Sequence, residues 1–208
     1  MDAVVIRDVV QTDMSAIKRI IGKTWGAGSE EESVAPLGLY LNQILYQTTF
    51  GRVAELNGEV VGVILGEVKT ERPVYRMMQE DGMVHTLAMF KSSVEERQGF
   101  HDFITTTNEN YKQLVADYKD EYQGVVTLLA VDADARGLNL GRKLWDSLVA
   151  HFKCHDVKKF YLSTDDIMSS FGFYDRVGCV KKNEHTITVE MEGEQVEVNS
   201  LMYEYEIE

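Results

Sequence analysis

The sequence predicts an α+β fold. Its core is a central, mostly antiparallel twisted sheet of about seven strands with one parallel pair, and helices cover both faces. Three observations carry this. Strand-like and helix-like stretches are mixed rather than strictly alternating. An Asn57-Gly58 pair between two apolar runs makes a tight hairpin, because both residues tolerate positive φ. A strand–helix–strand unit over 125–163 supplies the parallel pair, since parallel neighbours need a crossover.

The elements follow in order. AVVIRDV (3–9) reads as a first strand, and Thr12 or Asp13 can cap the helix that follows. Ile17, Ile20 and Ile21 give that helix one apolar face. GAGSEEES (26–33) reads as a loop and 36–48 as a second helix, with Leu37, Leu41, Ile44 and Leu45 inward. The hairpin strands are 51–56 and 59–68, the second thinned at Gly62 and Gly66. Residues 71–123 interrupt the rhythm as a helical insertion. Over 93–119, Phe100, Phe103, Ile104, Tyr111, Leu114, Val115 and Tyr118 line up as one aromatic-rich stripe. VVTLLAV (125–131) is a strand, 140–153 a helix, 158–163 a strand and 167–176 a short helix. The tail reads as two strands, 179–191 and 195–207, the last with an acidic outer face suited to a soluble sheet edge.

Length and composition bound the class. A chain of 208 residues with only two prolines suits one domain, 1–208, with an insertion rather than two linked domains. Acidic residues outnumber basic ones, 34 to 21, so the surface field disfavours nucleic acid and anionic membrane and mildly favours a cationic amine. Solubility alone also accounts for the charge. Two cysteines make no disulfide framework. No stretch has the length of a membrane span, and the first residues lack a signal-peptide pattern. A reducing cytoplasm is the expected location.

The bend VDADARGLNLGRKL (131–144) carries the chemistry. A glycine-rich strand-to-helix junction gathers backbone N–H groups without partners, and the helix dipole makes that end positive. Glycine lets an anion come close, and Asn139 is among the few other residues at ease with positive φ. Arg136 and Arg142 add charge. The segment therefore suits a phosphate, although taken alone it reads equally as a plain turn. It fails the Walker pattern, because Arg142-Lys143 is followed by Leu144, and it lacks the dinucleotide fingerprint.

Its context is more specific. TLLAVDADARGLNLGRKLWDSLVAHF resembles the acetyl-CoA-binding motif of the GNAT superfamily of acyl-CoA-dependent N-acetyltransferases. The family pattern [RQ]-x-x-G-x-[GA] reads here Arg136-Gly137-Leu138-Asn139-Leu140-Gly141, then Arg142-Lys143-Leu144. Asn139 replaces a family glycine, and Ala133 stands where proline is common. VIRDVVQTDMSAIKRI is similar to the family's opening strand and helix. FYDRVGC (173–179) is similar to its Phe-Tyr-x-x-x-Gly-Phe element, with Cys179 in the last aromatic's place. The resemblance covers nearly the whole chain except 71–123.

That resemblance implies a cosubstrate, acetyl-CoA, and a reaction, direct attack of a primary amine on the thioester in a ternary complex. It implies that the fourth and fifth strands splay apart around pantetheine, with the backbone of Leu129 and Val131 pairing to it. The amides of Arg136, Gly137, Leu138, Asn139, Leu140, Gly141 and Arg142 would hold the pyrophosphate. Tyr174 would be the general acid on the CoA thiolate, since a phenol stays protonated at neutral pH. Positions often Asn and Ala in the family are Ile167 and Ser170 here, and Ser170 keeps a hydroxyl for the cosubstrate. Glu67, Asp132 and Asp165 are candidate bases, each also readable as a surface or capping carboxylate, and a water chain is the other route. The insertion is expected to roof the acceptor site or to form a homodimer face, so that deleting 74–121 spares cosubstrate binding and abolishes turnover. The alternative function is a non-catalytic acyl-CoA-binding or regulatory module.

Two further signals bear on metal binding and nucleophilic chemistry. His151, Cys154 and His155 share one helix side and could begin a zinc site, but no second Cys/His cluster accompanies them, so no metal is expected. Nothing near Cys179 forms an obvious Cys–His pair and its place in the motif calls for an apolar residue, so it reads as a buried strand cysteine rather than a nucleophile.

Overall fold

The computed structural model describes residues 3–25, 30–80, 82, 83, 85, 94–118, 121–166, 172–191 and 194–208. The elements are β1 (Val4–Asp8), α1 (Met14–Trp25), α2 (Glu30–Leu45), β2 (Phe50–Leu56), β3 (Glu59–Val68), α3 (Val94–Val115), β4 (Gly124–Val131), α4 (Leu140–Cys154), β5 (Lys159–Asp165), α5 (Gly172–Val177), β6 (Val180–Met191) and β7 (Glu194–Glu206). The seven strands form one sheet in the order β1-β2-β3-β4-β5-β7-β6. Every pairing is antiparallel except β4 with β5. The expected sheet is therefore present.

Two helical layers cover the faces. On one, α4 packs Leu140, Leu144, Trp145, Leu148 and Phe152 onto Ile64, Val126, Phe160 and Leu162. On the other, α1 and α2 place Ile17, Ile20, Ile21, Leu41 and Leu45 over Val53, Val63, Leu65 and Leu128. The insertion covers the remaining half of that second face. Leu114 of α3, flanked by Tyr111, Val115 and Tyr118, packs on Tyr122, Tyr161 and Met202. The side chains of Phe100, Phe103 and Ile104 lie outside the described residues.

The hairpin turn has Asn57 at φ 53° and Gly58 at φ 89°, as the Asn-Gly pair predicts. Two glycines have a different purpose. A Cβ on Gly66 would lie 2.8 Å from Leu148, and one on Gly124 would lie 2.8 Å from Phe152, both side chains being fully buried. Their bare backbone lets α4 seat closely on the sheet. Gly66→Ala should therefore destabilise the protein by about 1–3 kcal/mol, read as a lowered denaturant midpoint with unchanged m.

The structure revises several expectations. The second helix begins at Glu30, six residues before the expected start, so the last part of the stretch read as a loop is helical. Asp13 does not cap α1 from outside. It ends a 3-10 turn, accepts the Val10 amide at 2.9 Å and is gripped by Arg7 at 2.7 and 2.9 Å. The acidic tail strand is no edge. β7 lies between β5 and β6, and its Glu204 is buried against Tyr122 at 3.0 Å, Lys182 at 3.2 Å and Lys159 at 3.4 Å. The edge is β6. The insertion also shares the core. Tyr75 is buried and donates to the Gly51 carbonyl, and Leu114 is buried under β7. Deleting 74–121 would thus remove core residues, and point substitutions test its role more cleanly.

Candidate functional site

The β4–β5 pairing is short. It joins Gly124–Val126 to Phe160–Leu162 and stops. The reason lies in β4 itself. Leu65 pairs with Leu128 while Gly66 pairs with Val126, so Thr127 is an extra residue, a β-bulge. Beyond it β4 continues to Val131 beside β3 alone. The Asp132 amide donates to Val61 at 2.8 Å. By the alternation of an antiparallel ladder, Ala130 and Leu128 also point their backbone groups at β3. Those of Leu129 and Val131 then face away, into the opening beside β5. The Thr127 hydroxyl at the apex of this opening is buried and has no hydrogen-bond partner among the described residues. A pantetheine arm, with its string of amides, fits such a gap.

The opening leads into the glycine bend. Asp132 turns the chain, its carboxylate accepting the Asp134 amide, and Ala133–Ala135 form a 3-10 turn. Gly137 follows at φ 86° and Asn139 at φ 58°, before α4 starts at Leu140. Along 132–143 the backbone donors with partners among the described residues are Asp132, Asp134, Ala135, Arg136 and Lys143. The amides from Gly137 to Arg142 remain for an anion. A Cβ on Gly137 would meet nothing within 4 Å, so the bend is an open cradle. Arg136 is exposed and forms no ion pair among the described residues, whereas Arg142 is held by Asp146 at 2.7 Å. The residues fit a diphosphate.

Asp132, a candidate base, is instead the anchor of the bend. It is buried and bound by Arg19 at 2.8 Å and Lys23 at 3.1 Å, both from α1. Burial alone would raise its pKa, but the Asp134 amide, Lys23 and Arg19 outweigh that and hold it below the ordinary value of 3.8. Such a group is a poor proton acceptor. A depressed carboxylate stabilises the fold above its unfolded pKa and loses that contribution as pH falls through the lower folded one. Asp132→Asn should cost about 2 kcal/mol at neutral pH, with the difference from the parent shrinking below about pH 4. Thermal melts of both proteins from neutral to acid pH would measure this.

Tyr174 sits on α5, buried, with ring contacts to Trp145, Phe173 and Tyr203 at centroid distances of 5.5–6.1 Å. Burial pushes its pKa well above the ordinary phenol range, and the charges of Cys179, Tyr111 and Asp165 add to this. Tyr111 of the insertion is pushed up to about 12 by burial and by Asp165. Tyr40 of α2 is raised by burial and by Tyr111. Tyr40, Tyr111, Asp165 and Tyr174 lie on four separate elements and are coupled electrostatically, Asp165 to Tyr111 and Tyr174, and Tyr111 to Tyr40. Tyr40 carried no sequence signal, and Tyr111 was legible only as one member of a packing stripe.

Glu67 stands one strand away. It is half-buried, its pKa raised by burial against the opposing pull of Lys69, and its charge is felt by Tyr161. Cys179 is buried and its thiol is pushed up to about 12, which suits packing and not nucleophilic attack. Ile167 and Ser170 lie outside the described residues.

The chain belongs to the acetyltransferase (GNAT) family, whose model matches residues 14–179. No curated protein matches it in sequence. Solved structures share the fold. A putative acetyltransferase from Salmonella typhimurium with its cofactor acetyl-CoA superposes at TM-score 0.57, with 14% identity, over 99% of this chain and 95% of that one. The ribosomal-protein-S18-alanine N-acetyltransferase from Escherichia coli gives TM-score 0.58 and 13% identity over 99% and 94%. An N-acetyltransferase from Staphylococcus aureus Mu50 gives 0.56 and 14% over 99% of both chains. Among the described residues no helix is long and apolar enough to cross a membrane.

Proposed function

We propose that this protein transfers the acetyl group of acetyl-CoA to a primary amine, both substrates being bound together. The observation that carries the reading is the gap that begins at the Thr127 bulge and runs into the open amides of 137–142. In this reading Leu129 and Val131 pair with the pantetheine amides. The bend from Arg136 to Arg142 takes the diphosphate, and Ser170 is kept as a proposed hydroxyl partner of the cosubstrate. The thioester supplies the activated acyl group, while the protein positions it.

The acceptor approaches from the side of α2 and α3. Its ammonium form must lose a proton before nitrogen can attack. We take Asp165, at the end of β5 beside the gap, as the acceptor of that proton, with Glu67 on β3 as the comparison. Nitrogen then bonds to the carbonyl carbon and gives up its second proton to solvent as the carbon–sulfur bond breaks. Tyr174 delivers its phenolic proton to the departing sulfur and regains one from solvent. Its raised pKa keeps it protonated throughout the neutral range.

Asp165→Asn is expected to lower kcat by about 10²-fold or more, with a much smaller effect for Glu67→Gln. The measurement is acetyl-CoA consumption against a panel of small amines and peptide α-amines. Equal losses in both variants would remove Asp165 from the base role. The second reading, a non-catalytic acyl-CoA-binding module, draws on the tight packing of Tyr174 in the core. It predicts saturable CoA binding with no turnover of any amine. In both readings the chain acts in the aqueous phase, with the cytoplasm as the proposed location. A homodimer through the exposed side of the insertion is the proposed assembly.

A further inference from the structure

The far end of α4 carries a cluster that acetyl transfer does not use. His151 and His155 lie four residues apart on one helix side, with ring centroids 4.0 Å apart. The fold adds a third group that no sequence spacing suggests. Glu71 follows β3 in a turn pinned by its own amide to the Val68 carbonyl at 2.9 Å. Its carboxylate oxygens reach His155 Nε2 at 2.9 Å and His151 Nε2 at 3.8 Å. One ligand atom from each of the three lies within 4.8 Å of the others.

Two details distinguish this cluster from an ordinary ion pair. His155 Nδ1 lies 2.8 Å from the His151 carbonyl oxygen. A carbonyl only accepts, so Nδ1 must donate, and in the neutral ring the lone pair sits on Nε2, facing the Glu71 carboxylate. Two electron-rich atoms at 2.9 Å call for a positive charge between them. A backbone carbonyl that orients a ring in this way is also the usual support of a metal-bound histidine. Second, His151 Nε2 is buried and has no hydrogen-bond partner among the described residues, and Phe50 stacks on its ring at 4.5 Å. An unpartnered imidazole nitrogen in that position is a ready metal ligand.

We propose that Glu71, His151 and His155 bind a divalent transition-metal ion of the zinc class. Two imidazoles and one carboxylate favour such an ion over calcium or magnesium, which prefer oxygen. Tetrahedral bonds of 2.0–2.1 Å place ligand atoms about 3.3 Å apart, between the two separations to Glu71. The three side chains are 24–34% exposed, which leaves a fourth position for water. Arg52 opposes the ion, since its charge is felt at His151, but it is itself paired with Asp8. The site would clip the turn after β3 to the C-terminal end of α4. It lies at the opposite end of that helix from the acetyl-CoA bend, so its role is to brace the fold and not to take part in acetyl transfer.

The test is calorimetric titration of zinc chloride into untagged, metal-stripped full-length protein, with circular dichroism confirming the fold of each variant. Saturable binding of one ion is expected. Glu71→Gln and His155→Gln, the more exposed partners, should each weaken it at least about tenfold, while Cys154→Ser leaves it within about twofold. Cobalt(II) bound in place of zinc should show no sulfur charge-transfer absorption. No saturation up to about 100 μM zinc would mean that the cluster is a plain imidazolium–carboxylate pair and overturn the proposal. So would binding that survives both variants, or binding lost with Cys154.

Discussion

Tyr174→Phe lowers kcat for acetyl transfer by about 10²–10⁴-fold and leaves the affinity for acetyl-CoA within about twofold of the parent. The split follows from what the ring and the hydroxyl each do. The ring packs among Trp145, Phe173 and Tyr203, and phenylalanine preserves those contacts. The diphosphate and pantetheine contacts proposed here use backbone groups of β4 and the bend, which this change does not touch. Only the proton for the departing sulfur is lost. Stopped-flow assays beside a binding isotherm separate the two effects. An unchanged kcat would assign proton delivery to water and strip Tyr174 of its role.

Gly137→Val abolishes useful acetyl-CoA binding, raising Kd by at least about tenfold, and lowers turnover in proportion. The position has φ 86°, a region that a β-branched residue avoids at a cost of about 1–2 kcal/mol or more. Space is not the obstacle, since a Cβ there meets nothing within 4 Å. The bend must therefore relax toward negative φ, and the amides of 137–142 cease to converge. The fold should survive, because Asp132, Arg19 and Lys23 hold the base of the bend independently. Gly137→Asn, which tolerates positive φ, should retain most of the binding. Equal affinities for parent, valine and asparagine variants would show that this bend holds no phosphate.

What could be read in the sequence was local. The Asn57-Gly58 turn, the apolar faces of α1 and α4 and the bend at 136–141 each reside in a short stretch whose chemistry is self-contained. The bulge at Thr127 was not legible, because one threonine within VVTLLAV is ordinary in a strand and the extra residue exists only relative to β3. The same holds for the electrostatic coupling of Tyr40, Tyr111, Asp165 and Tyr174, which lie on four elements and feel one another's charge only once the sheet is assembled. β7 read as an edge because its acidic residues suggested solvent, whereas Lys159 and Lys182 from neighbouring strands neutralise Glu204 inside the sheet. HFKCH read as a helix end, since nothing in the sequence connects it to Glu71. Among the candidate carboxylates, sequence left Glu67, Asp132 and Asp165 equivalent. Only the Arg19 and Lys23 contacts remove Asp132.

The central claim is that backbone amides at the start of α4 grip the diphosphate of coenzyme A. Titration calorimetry of coenzyme A into the purified chain tests it most directly. A saturable signal at one ligand per chain, lost in Gly137→Val and kept in Tyr174→Phe, is the predicted result. Absence of heat and of saturation up to about millimolar ligand would contradict it.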